Sequence, residues 1–518
     1  MTGVCTLTAE NTLPARLSGT GHPLLYEVNT RVLLQELSRR EGRRVRLGEI
    51  PDETLDTWAG YGFDAVWLMG VWPTGRLGRE IALGDSHLRM EYKRALPDWG
   101  ADDVGGSPYS IQEYTVSIDL GGKEGLARLR KRLAERGVGL ILDFVANHTA
   151  RDGSWVEGHP EYYISGSPGD DVARPEVYFK ARTSRGDLVL AHGRDPAFPA
   201  WTDTAQLNIR SPGTRRALTH QLSLIAEMCD GVRCDMAMLL LNDVFARTWQ
   251  GSATPGGEAD GEFWEEAISA VRQKHRGFLF VAEAYWNREW DLQQLGFDYT
   301  YDKLLYDRLL REGASSTRHH LKAELEYQMR SVRFLENHDE HRAARLLQSE
   351  EWHSAAAVIV STVPGMVLFH EGQLDGRTTR LPVQLLRRPH EPVSESLRSF
   401  YGRLLSCLTH PVFRQGEWKM LPVRPAWHDN ASWENFFVFH WRHRRHGARL
   451  VVVNYAPRTG QCYTSFPGEQ FSGNSVEFRD LMSQAVYVRD AVALLSKGMY
   501  FDLPPYGVHI FDVRSHGI

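Results

Sequence analysis

Apolar positions along the first four fifths of the chain fall into short runs separated by segments of helical periodicity. Eight runs read as strands: 24–29 (LLYEVN), 63–70 (FDAVWLMG), 138–145 (VGLILDFV), 230–238 (DGVRCDMAM), 277–283 (GFLFVAE), 297–301 (FDYTY), 332–337 (VRFLEN) and 365–370 (GMVLFH). Helical patterns lie between most of them, such as GLARLRKRLAERG ahead of the third and RRALTHQLSLIAEMC ahead of the fourth. Strands alternating with helices predict a parallel sheet, because each crossover needs a helix to return the chain. Eight such units predict a (β/α)8 TIM barrel of the α/β class.

Two stretches break this rhythm. From about His148 to Asn208 the chain is rich in Gly, Pro and aromatics but lacks helical periodicity. A connection that long in a compact domain is a functional element or a small domain of its own. It leaves the carboxyl end of the third strand, the end where barrel enzymes carry their sites. After about Ala426 the pattern becomes strand-like, with NFFVFHWRH, RLVVVNYAP and MYFDLPPYGVHIFDV separated by turn residues. The expected organisation is therefore a barrel over 1–426, an insertion at 148–208 within it, and an antiparallel β-sandwich over 427–518.

Composition narrows the function classes. The 518 residues carry 60 basic and 65 acidic side chains, a net charge of −5. That balance argues against a nucleic-acid binder, which presents a basic face. No stretch approaches the ~20 apolar residues of a membrane span. The five cysteines, Cys5, Cys229, Cys234, Cys407 and Cys462, are odd in number and irregular in spacing, so no disulfide framework or zinc site is expected. The amino-terminal MTGVCTLTAENTLPARL has neither a basic start nor an apolar run, which makes a cytoplasmic location the expectation.

Candidate chemistry sits at the ends of predicted strands. Asp143-Phe-Val-Ala-Asn147-His148 closes the third, and Gly231-Val-Arg233-Cys-Asp235 lies in the fourth. Val281-Ala-Glu283 ends the fifth, and Phe334-Leu-Glu-Asn337-His338-Asp339 ends the seventh. Strand alternation sends Arg233 and Asp235 the same way, toward the barrel mouth, while Val232 and Cys234 pack outward. A guanidinium beside Asp235 lowers its pKa, as an ionised nucleophile requires. Glu283 follows an apolar run, and burial raises a carboxyl toward the range of a proton donor. Glycoside hydrolysis uses two carboxylates in these two roles. One acid at a strand end is an ordinary cap; four such segments in order along one barrel are not.

With these motifs in place the chain resembles the α-amylase family, glycoside hydrolase family 13. The segments match its DxxxNH, GxRxD, strand-five Glu and NHD motifs in order, and the resemblance runs from Tyr26-Glu-Val-Asn to the closing sandwich. It implies Asp235 as nucleophile, Glu283 as general acid/base and Asp339 as the third catalytic carboxylate, binding sugar hydroxyls. Arg233, His148 and His338 would surround the sugar in the cleaved subsite. Asp143 and Asn147 would support them. In Gly106-Ser-Pro-Tyr109-Ser-Ile-Gln-Glu-Tyr114, Tyr109 matches the residue that stacks on that sugar. No cofactor is implied.

Departures from the family pattern carry their own expectations. Many amylases have Lys-His where this chain has Met238 and Leu239, so polar contacts on the leaving-group side are expected to be weak. Asn147 matches a calcium ligand of calcium-dependent members, but Gln206 replaces an Asp common near the end of the insertion. No metal is therefore expected. The implied partner is an oligosaccharide or small glucoside with an α-linked glucose. Hydrolysis, transglycosylation and isomerisation of the trehalose-synthase type share one intermediate and stay open at this point, as does an inactive sugar-binding barrel.

Overall fold

The computed structural model describes residues 21–250, 252, 260–466, 471 and 473–516. Cys5 and the amino-terminal segment lie outside them. Eight parallel strands close a barrel: β1 Leu24–Asn29, β2 Ala65–Met69, β3 Gly139–Phe144, β4 Gly231–Cys234, β5 Leu279–Ala282, β6 Tyr299–Tyr301, β7 Ser331–Arg333 and β8 Met366–His370. Closure is between β8 and β1, with Leu24 opposite Val367. Every strand falls on an expected run. All but β1 are shorter than the runs, and at two of them the chain turns over the barrel rim: after β4 it enters a 3-10 turn at Ala237–Leu240, and β7 stops at Arg333.

The runs read as continuously apolar because both faces of each strand are covered. Ala65, Trp67 and Met69 of β2 join the cluster inside the barrel, while Val66 and Leu68 join the larger one between barrel and helices. On β4, Val232 and Cys234 belong to that outer cluster. Gly231 opens β4 where no side chain fits, since a Cβ there would lie 2.6 Å from the Leu279 Cβ.

Three elaborations surround the barrel. After β2, helices Arg76–Gly84 and Ser86–Ala95 build a small core of their own with Val104 and Leu385. The sequence reading did not single them out, because SHLRMEYKRA carries only a short apolar stripe on a charged helix. After β3, the ribbon His148–Ala150 pairs with Thr204–Gln206, and the hairpin Tyr178–Thr183 with Gly186–Ala191 packs beside it. Toward the carboxyl end, a six-stranded and a three-stranded antiparallel sheet share one core through residues such as Val438, Leu450, Phe478, Cys462 and Phe501. Their strands include Glu417–Met420 and Val423–Pro425, ahead of residue 427. Trp441 of the larger sheet donates its indole N–H to the Thr362 carbonyl of the barrel layer (2.7 Å). Among the described residues no helix is long and apolar enough to cross a membrane.

Candidate active site

The period-two row that fills the barrel turns polar at the carboxyl end of the strands. Glu27, Asp143, Arg233 and Glu283 continue the inward positions of β1, β3, β4 and β5, and Asp143 stands in register with Arg233. All four are buried. Arg233 is the hub, with a side chain 1 % exposed. Its Nη1 lies 2.6 Å from Asp235 Oδ1, and its Nη2 lies 2.8 Å from Glu283 Oε2. Asp143 Oδ1 is 3.7 Å away. Trp67, Tyr109 and Tyr301 present ring faces to the guanidinium at 5.1, 5.2 and 5.7 Å. One planar cation thus hydrogen-bonds Asp235 and stands in ion-pair contact with Glu283.

Burial dominates the protonation of these groups. It raises Glu283 to about 7; Arg233 opposes this, while Asp235 and Asp339 reinforce it. The Met236 N–H (2.6 Å) and the Tyr285 hydroxyl (2.8 Å) donate to the two oxygens of Glu283. Burial likewise raises Asp143 to about 7 against the pull of Arg233. Asp235 was expected to be lowered by its arginine. Burial instead gives it a net upward direction, and the charge and hydrogen bond of Arg233 oppose the rise without reversing it. Desolvation of a carboxylate is the larger effect here.

Asp339 differs, because its side chain is about half exposed. What burial it has would raise it, but His338 at 3.1 Å and Arg233 bring it down to about 2. His338 is itself held protonated between Asp339 and Glu27, whose Oε1 is 2.5 Å from Nδ1. Tyr109 stacks on the His338 ring at 5.3 Å, and its hydroxyl is 2.8 Å from His338 Nε2. Glu27 went unnoticed in the sequence, since a lone acid in LLYEVN gives no signal until the barrel closes beside His338.

His148 and Asn147 sit at the root of the insertion. Burial lowers His148 to about 4, so the ring is neutral, and it packs on Trp201 with ring centres 5.1 Å apart. Asn147 Nδ2 is 3.3 Å from His148 Nδ1 and 3.2 Å from Gln206 Oε1. The Gln206 amide nitrogen donates to Asn147 O (2.9 Å), Asn147 Oδ1 (3.0 Å) and Leu207 O (3.0 Å). A calcium ion wants six to eight oxygens at roughly 2.3–2.6 Å, several of them carboxylates. Here a nitrogen holds the centre of the oxygen set and no carboxylate belongs to it, so the residues do not fit calcium. Among the described residues no group of three or more His, Cys, Asp or Glu could hold a metal ion.

Met238 and Leu239 were expected to face the leaving group, and this is corrected. They are 0 % and 2 % exposed and belong to the outer core. Met236, with φ of 43°, turns the backbone through the left-handed region just after Asp235, and Trp264 donates to the Ala237 carbonyl (2.8 Å). The 3-10 turn is thereby rolled inward. The half-buried groups that touch Glu283 are instead Met236 and Tyr285, and Trp286 follows in the chain. Trp286 is 39 % exposed, and both it and Asn287 hold positive φ, 63° and 59°. Consecutive non-glycine residues in that region are uncommon and cluster at functional sites. The only sequence signal for them was their position past Glu283.

Comparison with known proteins establishes the family of the chain. The family model for the α-amylase catalytic domain matches residues 53–393. The chain is 26 % identical over 356 residues to Alpha-amylase MalA of Haloarcula japonica, covering 67 % of this chain and 47 % of that protein. It is 20 % identical over 299 residues to Alpha-amylase 3 of Dictyoglomus thermophilum, covering 54 % and 56 %. The chain thus spans about half the length of these curated relatives. In fold it is similar to a noncanonic maltogenic α-amylase, AmyB of Thermotoga neapolitana, with TM-score 0.67, 20 % identity and coverage of 95 % and 99 %. It is also similar to the acarbose-soaked debranching enzyme of Nostoc punctiforme, with TM-score 0.64, 16 % identity and coverage of 96 % and 99 %. With the catalytic-domain model matching about two thirds of its length, the chain belongs to the α-amylase family of glycoside hydrolases.

Proposed function

We propose that the protein is a retaining α-glycosidase that cleaves α-glucosidic bonds of oligosaccharides or small glucosides through a covalent glycosyl-enzyme. The observation that carries this reading is the single guanidinium of Arg233 shared by Asp235 and Glu283. One cation neutralises one carboxylate, and Asp235 has the shorter contact. The proton of the pair therefore resides on Glu283, which burial raises to about 7. Glu283 gives that proton to the leaving oxygen as the bond to the anomeric carbon breaks. Asp235 forms a bond to the same carbon from the other face. Glu283, now ionised, takes a proton from water or a sugar hydroxyl, whose oxygen displaces Asp235 and regenerates the enzyme.

In this reading Asp339, ionised and half exposed, accepts hydrogen bonds from sugar hydroxyls. Protonated His338, held between Glu27 and Asp339, fixes Asp339 and brings positive charge beside the same sugar, and Tyr109 and His148 wall it. Trp286 offers the leaving group an apolar ring face. The 148–208 insertion and the carboxyl-terminal sheets are read as support for the barrel over 1–426.

The test uses a fluorinated α-glucosyl fluoride, which forms the glycosyl-enzyme faster than it is hydrolysed. Mass spectrometry of peptides should find the sugar on Asp235, and NMR of early product should show the α-anomer. A label on another residue, or a β-anomer as first product, overturns the assignment. Turnover on maltose, maltotriose, isomaltose, sucrose, trehalose and starch then separates hydrolysis from transfer and isomerisation.

A further inference from the structure

The amide of Gln206 stands where three oxygens converge. Asn147 O, Asn147 Oδ1 and Leu207 O all lie within 3.0 Å of its Nε2. An amide nitrogen has two hydrogens, and the Leu207 backbone N–H also donates to Asn147 O (3.0 Å), so these three donors serve the three oxygens. Three oxygens converging on one point make an electron-rich cage, the kind of surrounding a cation ordinarily fills. Gln206 is fully buried, so bulk solvent does not reach the cage.

The cage is the joint between barrel and insertion. Gln206 pairs in register with His148 on the two-stranded ribbon. Its Oε1 accepts from Asn147 Nδ2 and from the Arg194 N–H (3.4 Å), so the amide ties both ends of the insertion to the end of β3. Asn147 Nδ2 in turn faces His148 Nδ1, and His148 is hydrogen-bonded to the Tyr109 backbone. The chain of contacts thus runs from Gln206 through Asn147 to His148 and Tyr109, the residues read above as walls of the reacting sugar's subsite.

We propose that Gln206 is a built-in substitute for a structural cation, and that it is a positioning residue for His148 and Tyr109. The amide N–H groups supply the positive end of a dipole at the cage centre. The protein therefore holds its site in shape without a metal, and replacing the amide by a carboxylate converts the cage into one that needs a cation. The positioning half of this inference rests on the proposed function; the cation half does not.

The experiment compares the whole protein with Gln206→Glu and Gln206→Met. Melting temperature is measured in a chelator and in millimolar calcium, and calcium binding by titration calorimetry. Wild type is expected to melt at one temperature in both buffers and to bind no calcium at the site. Gln206→Glu places an anionic carboxylate oxygen among the three neutral amide oxygens of the cage. It should melt about 5 °C lower in chelator, recover most of that loss in calcium, and bind about one ion. Gln206→Met keeps the volume and lacks the donors, so it should melt lower in both buffers and gain nothing from calcium. At matched folded fraction, kcat/KM should drop about tenfold in Gln206→Met, and in Gln206→Glu only without calcium, because the sugar walls shift.

A wild-type melting temperature that falls on chelation and returns with calcium overturns the proposal, and it needs no variant to fold. A Gln206→Glu protein as stable in chelator as wild type also overturns it, by showing that the cage is not electron-rich. Unchanged kcat/KM in both variants removes the positioning role alone. Absence of any glycosidase turnover in wild type would sink the functional reading while leaving the melting comparison valid.

Discussion

Two arginines of the barrel wall, Arg233 and Arg333, are equally buried, at 0 % exposure, and do opposite work. Arg233 points into the barrel at its mouth and is surrounded by Asp235, Glu283 and Asp143. Arg333 points outward from β7, toward the helices. It pairs with Asp302 and with the Gln328 side chain, and it donates to the Pro364 carbonyl (3.0 Å). Asp302 is already engaged, since it caps the helix Lys303–Arg311 and meets His320 at 2.8 Å. Burial lowers Arg333 to about 9, which still leaves it charged at neutral pH. The carboxylates around Arg233 push it the other way, well above its ordinary value. The first site has more acid than Arg233 can pair, and the proposed mechanism uses that surplus for proton transfer. The second is a matched structural pair with no group in excess.

If that contrast is right, substitutions at the two sites separate activity from stability. The largest effect is expected from Asp235→Asn, which should reduce kcat by at least about 10³-fold with a melting temperature near wild type. Arg333→Met should do the reverse. It leaves Asp302 buried without its only cation, among the described residues, within pairing distance, at a cost of roughly 3–5 kcal/mol, so melting should fall by about 10 °C. Turnover per folded molecule should be unchanged. Kinetics and calorimetry on the same preparations decide it, and an Arg333 variant that is stable but inactive would erase the distinction.

Arg233→Lys keeps the charge and loses the fork. A point charge cannot hold Asp235 and Glu283 together, so kcat should fall by about 10²-fold while the chain still folds. Stopped assays on an activated aryl glucoside would isolate the damage. Such a leaving group needs little protonation, so a loss confined to natural sugars would place the damage on Glu283.

The protonation states predict a bell-shaped profile of kcat/KM against pH. Glu283 must carry its proton, and burial raises it to about 7, so activity should decline as pH rises through about 7. Asp235 must be ionised and its direction is upward, so the acid limb should lie above the ordinary aspartate value of 3.8. Initial rates from pH 4 to 9 would check both limbs. The smallest effect belongs to Tyr285→Phe. Its hydroxyl donates to Glu283 and favours the charged form. Without it the alkaline limb should move to higher pH, with kcat changed by less than about tenfold. A shift to lower pH would mean that the hydroxyl acts as an acceptor.

The two arginines also differ in how they were read from the sequence. Arg233 was singled out because it stands two positions before Asp235 in a strand, and a period of two fixes their common face without reference to any other part of the chain. Arg333 was read only as part of VRFLEN, because its partners Asp302 and Gln328 come from elements whose approach no local pattern encodes. Glu27 was passed over for the same reason. Its partner His338 lies 311 residues away in sequence.

The sequence by itself determined the eight strands, the inward row that carries Asp143, Arg233, Asp235 and Glu283, and the insertion after β3. All of these follow from alternation, spacing and turn chemistry within short windows. Only the tertiary structure decided that Met238 and Leu239 join the core, that Trp286 is left exposed past Glu283, and that Gln206 fills an oxygen cage. It also decided the upward direction of Asp235. Burial and charge proximity are sums over neighbours from every strand of the closed barrel, and a linear pattern holds no term for them.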